Sequence, residues 1–193
     1  MAEKAKILEE KAKKIQAKPA AKKLKQQSAT QIAKKAGEGK LAVAVRIRGT
    51  KGVRSTVSRT LEMLGLTRKN HVVLVKATPA INGMLNKAKD YLSWGEANAD
   101  TVAKLIEKSA RVSGNKPLSD KYVSENSGFK TVKEFSKAVA EGVADMAVVP
   151  GVKKVFRLQA PAKGYTTTKS LYPAGALGYR GDKINELIQK MIR

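Results

Sequence analysis

No cysteine occurs in this chain, and histidine occurs once. The first absence excludes disulfide frameworks and thiolate zinc sites; the second leaves no material for a histidine triad or a His-rich metal centre. Carboxylates are also scarce, with 16 acids against 39 lysines and arginines for a net charge of +23. Aromatic residues make up only 5% of the 193 positions, so any core must be aliphatic. No apolar run approaches the roughly 20 residues of a membrane span. The opening Met1-Ala2-Glu3-Lys4-Ala5-Lys6 leads into more charge, with no apolar stretch of the signal-peptide kind. Residues 1–40 contain no arginine but do contain Glu3, Glu9, Glu10 and Glu38, unlike a mitochondrial presequence. The expectation is a cytoplasmic protein that is not an enzyme, with no metal, no cofactor, no small-molecule substrate and no membrane association.

What the chain does have is positive charge, and a field of that size attracts polyanions. Among polyanions nucleic acid ranks first, ahead of an anionic membrane surface, and nucleic acid is the partner expected. Residues 1–40 form a compositional block in which twelve lysines face four glutamates, a net of +8. Its Ala, Lys, Gln and Glu favour helix, Pro19 divides it, and Gly37-Glu38-Gly39 ends it. Apolar residues there are few, so the block reads either as a solvated disordered tail or as one that becomes helical on RNA phosphates, with Lys22, Lys23 and Lys25 as contacts. The remaining residues still hold 27 basic and 12 acidic side chains, a net of +15. The expected organisation is a lysine-rich extension over 1–40 and a single domain over 41–193.

Within that domain Leu41 to Arg48 alternates as a strand, with Leu41, Val43, Val45 and Ile47 on one face and Arg46 and Arg48 ending the other. A basic turn, Gly49-Thr50-Lys51-Gly52, follows. Val53, Val57, Leu61 and Leu64 mark a helix stopped by Gly65, with Arg54, Ser55, Ser58 and Arg59 on its open face. His71 to Lys76 is a second strand. Thr78 is placed to N-cap a helix with Pro79 at its first position, and Ile81, Met84, Leu85, Ala88 and Leu92 give its buried stripe. Tyr91 to Trp94 is a short third strand. This is a β-α-β-α-β unit. Further helices are expected at Ala99–Arg111, Val132–Gly142 and Lys183–Arg193, with a strand-like Lys153–Leu158 and a polar loop from Ala160 to Gly181.

Arg46, Arg48, Lys51, Arg54 and Arg59 form the leading RNA-contact cluster. A strand end, a turn and a first helical turn converge in any βα unit, and a helix N-terminus favours phosphate. Glu62 is the only acid between residues 41 and 89, so a balanced solvated edge is a poor description. Near the C-terminus, Gly175-Ala176-Leu177-Gly178-Tyr179-Arg180-Gly181-Asp182 feeds a helix whose Ile184, Leu187, Ile188, Met191 and Ile192 share one face. Asp182 is placed to N-cap it, and Tyr179 and Arg180 are free to face outward. Lys163, Lys169 and Tyr165 join them as candidates; for Tyr165 and Tyr179, stacking on bases and packing at home are both open. The glycine spacing does not fit a dinucleotide fold, for it lacks the preceding strand and the βαβ context. His71 and Trp94 read as strand residues rather than as a base or a stacking platform. Asp182 and Glu186 form no catalytic pair.

Arg46-Ile47-Arg48-Gly49, Thr78-Pro79-Ala80-Ile81-Asn82-Gly83-Met84-Leu85 and Tyr91-Leu92-Ser93-Trp94-Gly95, taken with the terminal Gly175 to Ile188 stretch, resemble the L-thirty family of large-subunit ribosomal proteins. The eukaryotic counterpart is L-seven. The terminal stretch looks like the archaeal and eukaryotic branch, and the resemblance covers roughly residues 40–193. It implies an α/β sandwich related to the ferredoxin-like fold, with added helices, and no enzymatic activity. It further implies binding to large-subunit rRNA, with 5S rRNA and neighbouring ribosomal proteins as further candidate partners. Relatives carry a denser basic stretch before the final glycines; here Lys163, Lys169 and Thr166-Thr167-Thr168 stand there, which leaves open a weaker RNA contact or one made through hydroxyls. A general nucleic-acid chaperone or DNA-compacting protein is the alternative, and it would need a dimerisation surface that no heptad or apolar stripe provides.

Overall fold

The computed structural model describes residues 41–141 and 144–192. Lys22, Lys23 and Lys25 lie outside the described residues. Five strands make one sheet: β1 (Leu41–Arg46), β2 (His71–Lys76), β3 (Leu92–Glu96), β4 (Val155–Arg157) and β5 (Gly178–Tyr179). Their order across the sheet is β4-β2-β1-β3-β5. The β1–β2, β1–β3 and β2–β4 pairs are antiparallel, and β3–β5 is parallel. Among the described residues six α-helices accompany them: α1 (Ser55–Met63), α2 (Pro79–Lys87), α3 (Ala99–Ser109), α4 (Asp120–Asn126), α5 (Val132–Ala140) and α6 (Ile184–Met191).

Helices cover both faces of the sheet, so the central strand is apolar on both. Ala44 and Val73 pack with Leu61, Leu64, Leu66, Leu85 and Trp94 on the α1/α2 side. Val43, Val45 and Val72 pack with Leu105, Ile106, Phe135, Ile184 and Ile188 on the other. Alternate residues of one strand thus serve two cores, the pattern of a strand buried on both sides. Each fully buried aliphatic side chain contributes about 1.5–3 kcal/mol, which suits a chain with so few aromatics. Ile47, expected on the same face as Val45, leaves the strand and joins a small cluster with Ala176 and Leu177.

The helix starts follow from local chemistry. Thr78 accepts from the Ile81 amide at 3.4 Å with Pro79 at the first helical position. Thr131 accepts from the Glu134 amide, while the Glu134 carboxylate accepts from the Lys130 amide at 3.1 Å, so donors at the start of α5 are satisfied reciprocally. At α6 the expectation fails: Asp182 does not cap. A 3-10 turn over Gly181–Lys183 leads directly into the helix, with no side-chain cap and Asp182 inside that turn. The apolar stripe of α6 is as expected, with Ile184, Leu187, Ile188 and Met191 buried.

The register collects charge at one end of the sheet. Arg46 pairs with Leu92 across β3, and His71 of β2 pairs with Arg157 of β4. The chain leaves β1 there, and the α1–β2 loop with Arg68 and Lys69 returns there.

Candidate nucleic-acid interface

Arg46 stands at the centre of this end, and it is turned inward. Only 3% of it is exposed. Its Nε donates to the Arg48 carbonyl at 3.0 Å, and Nη1 to Leu66 at 2.7 Å and Thr67 at 3.0 Å. Nη2 donates to Gly49 at 2.8 Å. Four backbone carbonyls from two loops are therefore gathered by one guanidinium, as its rigid fork of donors allows. Burial pushes its pKa down, while Tyr91 and Glu62 push it back up. The outward position expected for Arg46 is thus corrected, because the carbonyls leaving β1 and α1 needed a donor and Arg46 was within reach.

With Arg46 holding the turn, its neighbours project. Arg48 is exposed, lies 5.2 Å over the Tyr91 ring and donates to the Asp90 carbonyl at 3.3 Å. Lys51, Arg54 and Arg59 are exposed. The one ion pair among the described residues, Lys76 with Asp145 at 2.9 Å, involves none of them. Helix α1 follows the N-cap residue Arg54, with no side-chain cap and no acid in its first turn, so its free N–H groups and its dipole add to the positive potential. Nothing lies within 4 Å of where a Cβ would stand on Gly49 or Gly52, and the turn is open to close approach. Arg68, Lys69 and Arg157, which sequence reading passed over, are exposed at the same end. The run Thr67-Arg68-Lys69-Asn70 between a helix and a strand was the available signal. His71 is 8% exposed, and burial first, then Arg157, Arg68 and Arg46, depress its pKa.

The terminal turn is built in the opposite sense. Tyr179 is half-buried in β5; its hydroxyl donates to Glu96 Oε1 at 3.0 Å and its ring lies 6.2 Å from Trp94. Burial and that hydrogen bond raise its pKa to about 12. Arg180 is also half-buried, with its amide on the Trp94 carbonyl and its Nη2 on the Gly175 carbonyl at 3.3 Å. Neither residue faces freely outward as expected. Asn185, 5% exposed, accepts from the Asn98 amide and donates to the Glu96 and Asp182 carbonyls at 3.0 and 2.8 Å. A Cβ at Gly95 would overlap the Gly181 carbonyl, and one at Gly175 the Ser170 carbonyl, so both positions require glycine. Tyr165 donates to Asn70 Oδ1 at 2.9 Å and packs on the core; burial raises its pKa to about 12. Of its two open readings, packing at home is the one the structure shows. Lys163 and Lys169 are exposed.

Fold and surface define a class: a mixed α/β protein with a five-stranded sheet, a carboxylate-poor cationic end and, among the described residues, no group of His, Cys, Asp or Glu suited to a metal. No helix among them is long and apolar enough to cross a membrane. The family model of ribosomal protein L30p/L7e matches residues 42–92, from β1 into β3. Large ribosomal subunit protein uL30 of Archaeoglobus fulgidus is 46% identical over 147 residues, 76% of this chain and 97% of that protein; its namesake in Methanobrevibacter smithii is 45% identical over 151, covering 78% and 99%. This chain belongs to the uL30 family of large ribosomal subunit proteins, which are structural components rather than enzymes.

Proposed function

We propose that this chain is a cytoplasmic structural constituent of the large ribosomal subunit that binds and braces folded rRNA. The contact surface is the cationic end of the sheet: Arg48, Lys51, Arg54 and Arg59, extended by Arg68, Lys69 and Arg157. The observation that carries the reading is that these exposed cations have no carboxylate within ion-pair distance among the described residues. Charge left unbalanced in the free protein is balanced by phosphates in the complex, with release of condensed counterions. Arg46 takes part by holding the turn in place, not by contact. Such a surface positions on the backbone and reads folded RNA by shape more than by sequence. Neighbouring ribosomal proteins complete the set of partners.

The test is sedimentation of a lysate through sucrose at moderate and then high salt, with the chain detected in each fraction. Co-migration with the large subunit at both salts is expected. A chain that stays at the top of the gradient or runs with DNA would overturn the reading. With purified components, affinity for large-subunit rRNA should fall steeply with salt, and a flat response would count equally against it. 5S rRNA added as a competitor shows whether it shares this surface.

A further inference from the structure

A second basic site lies away from the turn after β1. The loop over residues 161–166, the Tyr172–Gly175 segment and one side of α6 line an open cavity of about 380 Å³. Lys163, Arg180, Lys183 and Lys190 line it, with Glu186 as the one carboxylate. Among the described residues, no carboxylate lies within ion-pair distance of any of the four cations. Arg180 spends one donor on the Gly175 carbonyl, and its Nε is buried with no partner among the described residues. Arg180 and Lys183 also lie 5.3 and 6.0 Å from the centre of the Tyr172 ring, which holds them at the cavity.

The walls are fixed in advance. The Ala162 amide bonds to the Lys190 carbonyl at 3.0 Å, the Gly164 amide to Pro161 at 2.9 Å and the Tyr172 amide to Leu177 at 2.7 Å. Tyr165 ties the loop to Asn70, at the cationic end of the sheet. Lys163 has φ +69°; the other non-glycine residues with positive φ among those described are asparagines, which tolerate that region far better than lysine does. Strain of this kind concentrates at ligand sites. Resting on the rRNA-binding reading above, we propose that this cavity is a recessed phosphate-binding pocket that takes one phosphodiester of the rRNA strand. The Arg180 guanidinium and the ammonium groups of Lys183 and Lys190 supply the positive charge that meets the phosphate oxygens, and the rest of the volume admits the adjoining ribose.

The test uses the full chain carrying Lys183→Gln and Lys190→Gln, both at exposed positions. Its rRNA affinity is measured from low to moderate salt beside the unaltered chain. The slope of log K against log salt should become shallower by about 0.7, since one phosphate is no longer neutralised, with an unchanged unfolding midpoint. An unchanged slope with rRNA still bound overturns the pocket and leaves the functional reading standing; failure of the unaltered chain to bind rRNA strikes at that reading instead. Inorganic phosphate forms a separate arm: if it occupies the pocket and rRNA does not displace it, a free anion rather than an RNA strand is the occupant and the proposal fails. Should the double variant not fold, acetylation of the unaltered chain decides. Lys163, Lys183 and Lys190 should lose reactivity on rRNA binding, and unaltered reactivity overturns the proposal.

Discussion

The turn after β1 and the turn before α6 look alike as sequence, each a glycine-bearing loop with arginine beside a helix start. In the folded protein they work in opposite directions. The first spends one arginine, Arg46, to gather four carbonyls, and so leaves Lys51, Arg54 and Arg59 with no internal duty. The second turns its conspicuous residues inward, Tyr179 onto Glu96 and Arg180 onto Gly175 and Tyr172. A basic motif in such a chain is thus scaffold or surface according to whether backbone acceptors lie within its reach. Burial decides this, and composition does not.

The contrast can be broken most forcefully at Arg46. Arg46→Ala strips a charged donor from four carbonyls, and a loss on the order of 3 kcal/mol is expected by urea unfolding. If stability holds and only rRNA affinity falls, the inward role assigned to Arg46 is wrong. On the opposite side of the comparison, replacing Lys51, Arg54 and Arg59 together with Gln should leave the unfolding midpoint nearly unchanged. Affinity for large-subunit rRNA should drop roughly a hundredfold near 0.1 M salt, because three phosphate partners, each with a slope of about 0.7, are removed. Asn185→Ala removes three hydrogen bonds from a buried site and should cost about 2 kcal/mol in the same urea assay. No effect there would sink the claim that this asparagine pins the terminal turn.

Smaller effects sharpen the picture. Tyr179→Phe should cost about 1 kcal/mol near neutral pH. The folded-state pKa of Tyr179, at about 12, lies above the ordinary value of 10. Its contribution is therefore complete below pH 10 and lost as pH rises toward 12, and thermal scans in that window should show a gentler alkaline decline for the variant. His71 has the opposite sign. Its folded pKa is depressed from 6.5, so the unfolded chain binds the proton more readily and stability falls as pH drops below about 6.5. His71→Gln should flatten that acid slope; an unchanged slope would show that neither its burial nor the three nearby arginines bear on it.

Much of the architecture could be read from the residues because it rests on periodic burial. β2 begins and ends at the residues expected, Thr78 caps α2, and the stripe of α6 is buried as its spacing requires. Helix α4 escaped because its seven residues bury only Val123. β5 escaped because a two-residue Gly-Tyr strand has no pattern of its own and exists only by pairing with Ser93 and Trp94. In the candidate interface, Lys51, Arg54 and Arg59 were legible, since exposure follows from a turn and a helix face. The inward turn of Arg46, Tyr165 and Tyr179 was not, because each depends on a partner distant in sequence: Leu66, Asn70 and Glu96 respectively. The tertiary position of Lys183 and Lys190 beside Arg180 was hidden for the same reason.

The parallel pairing of β5 with β3 has a consequence for biosynthesis. Ser93 donates to the carbonyl of Gly178, 85 positions further along the chain. At about 5–20 residues per second of synthesis, β3 leaves the exit tunnel roughly 4–17 seconds before its outer neighbour exists. Through that interval a nascent chain with β1 to β3 assembled offers an unpaired strand edge to any other growing polypeptide. A ribosome stalled before Gly178 would hold that edge open indefinitely, and release of such a fragment should yield edge-to-edge aggregates that the finished chain does not form.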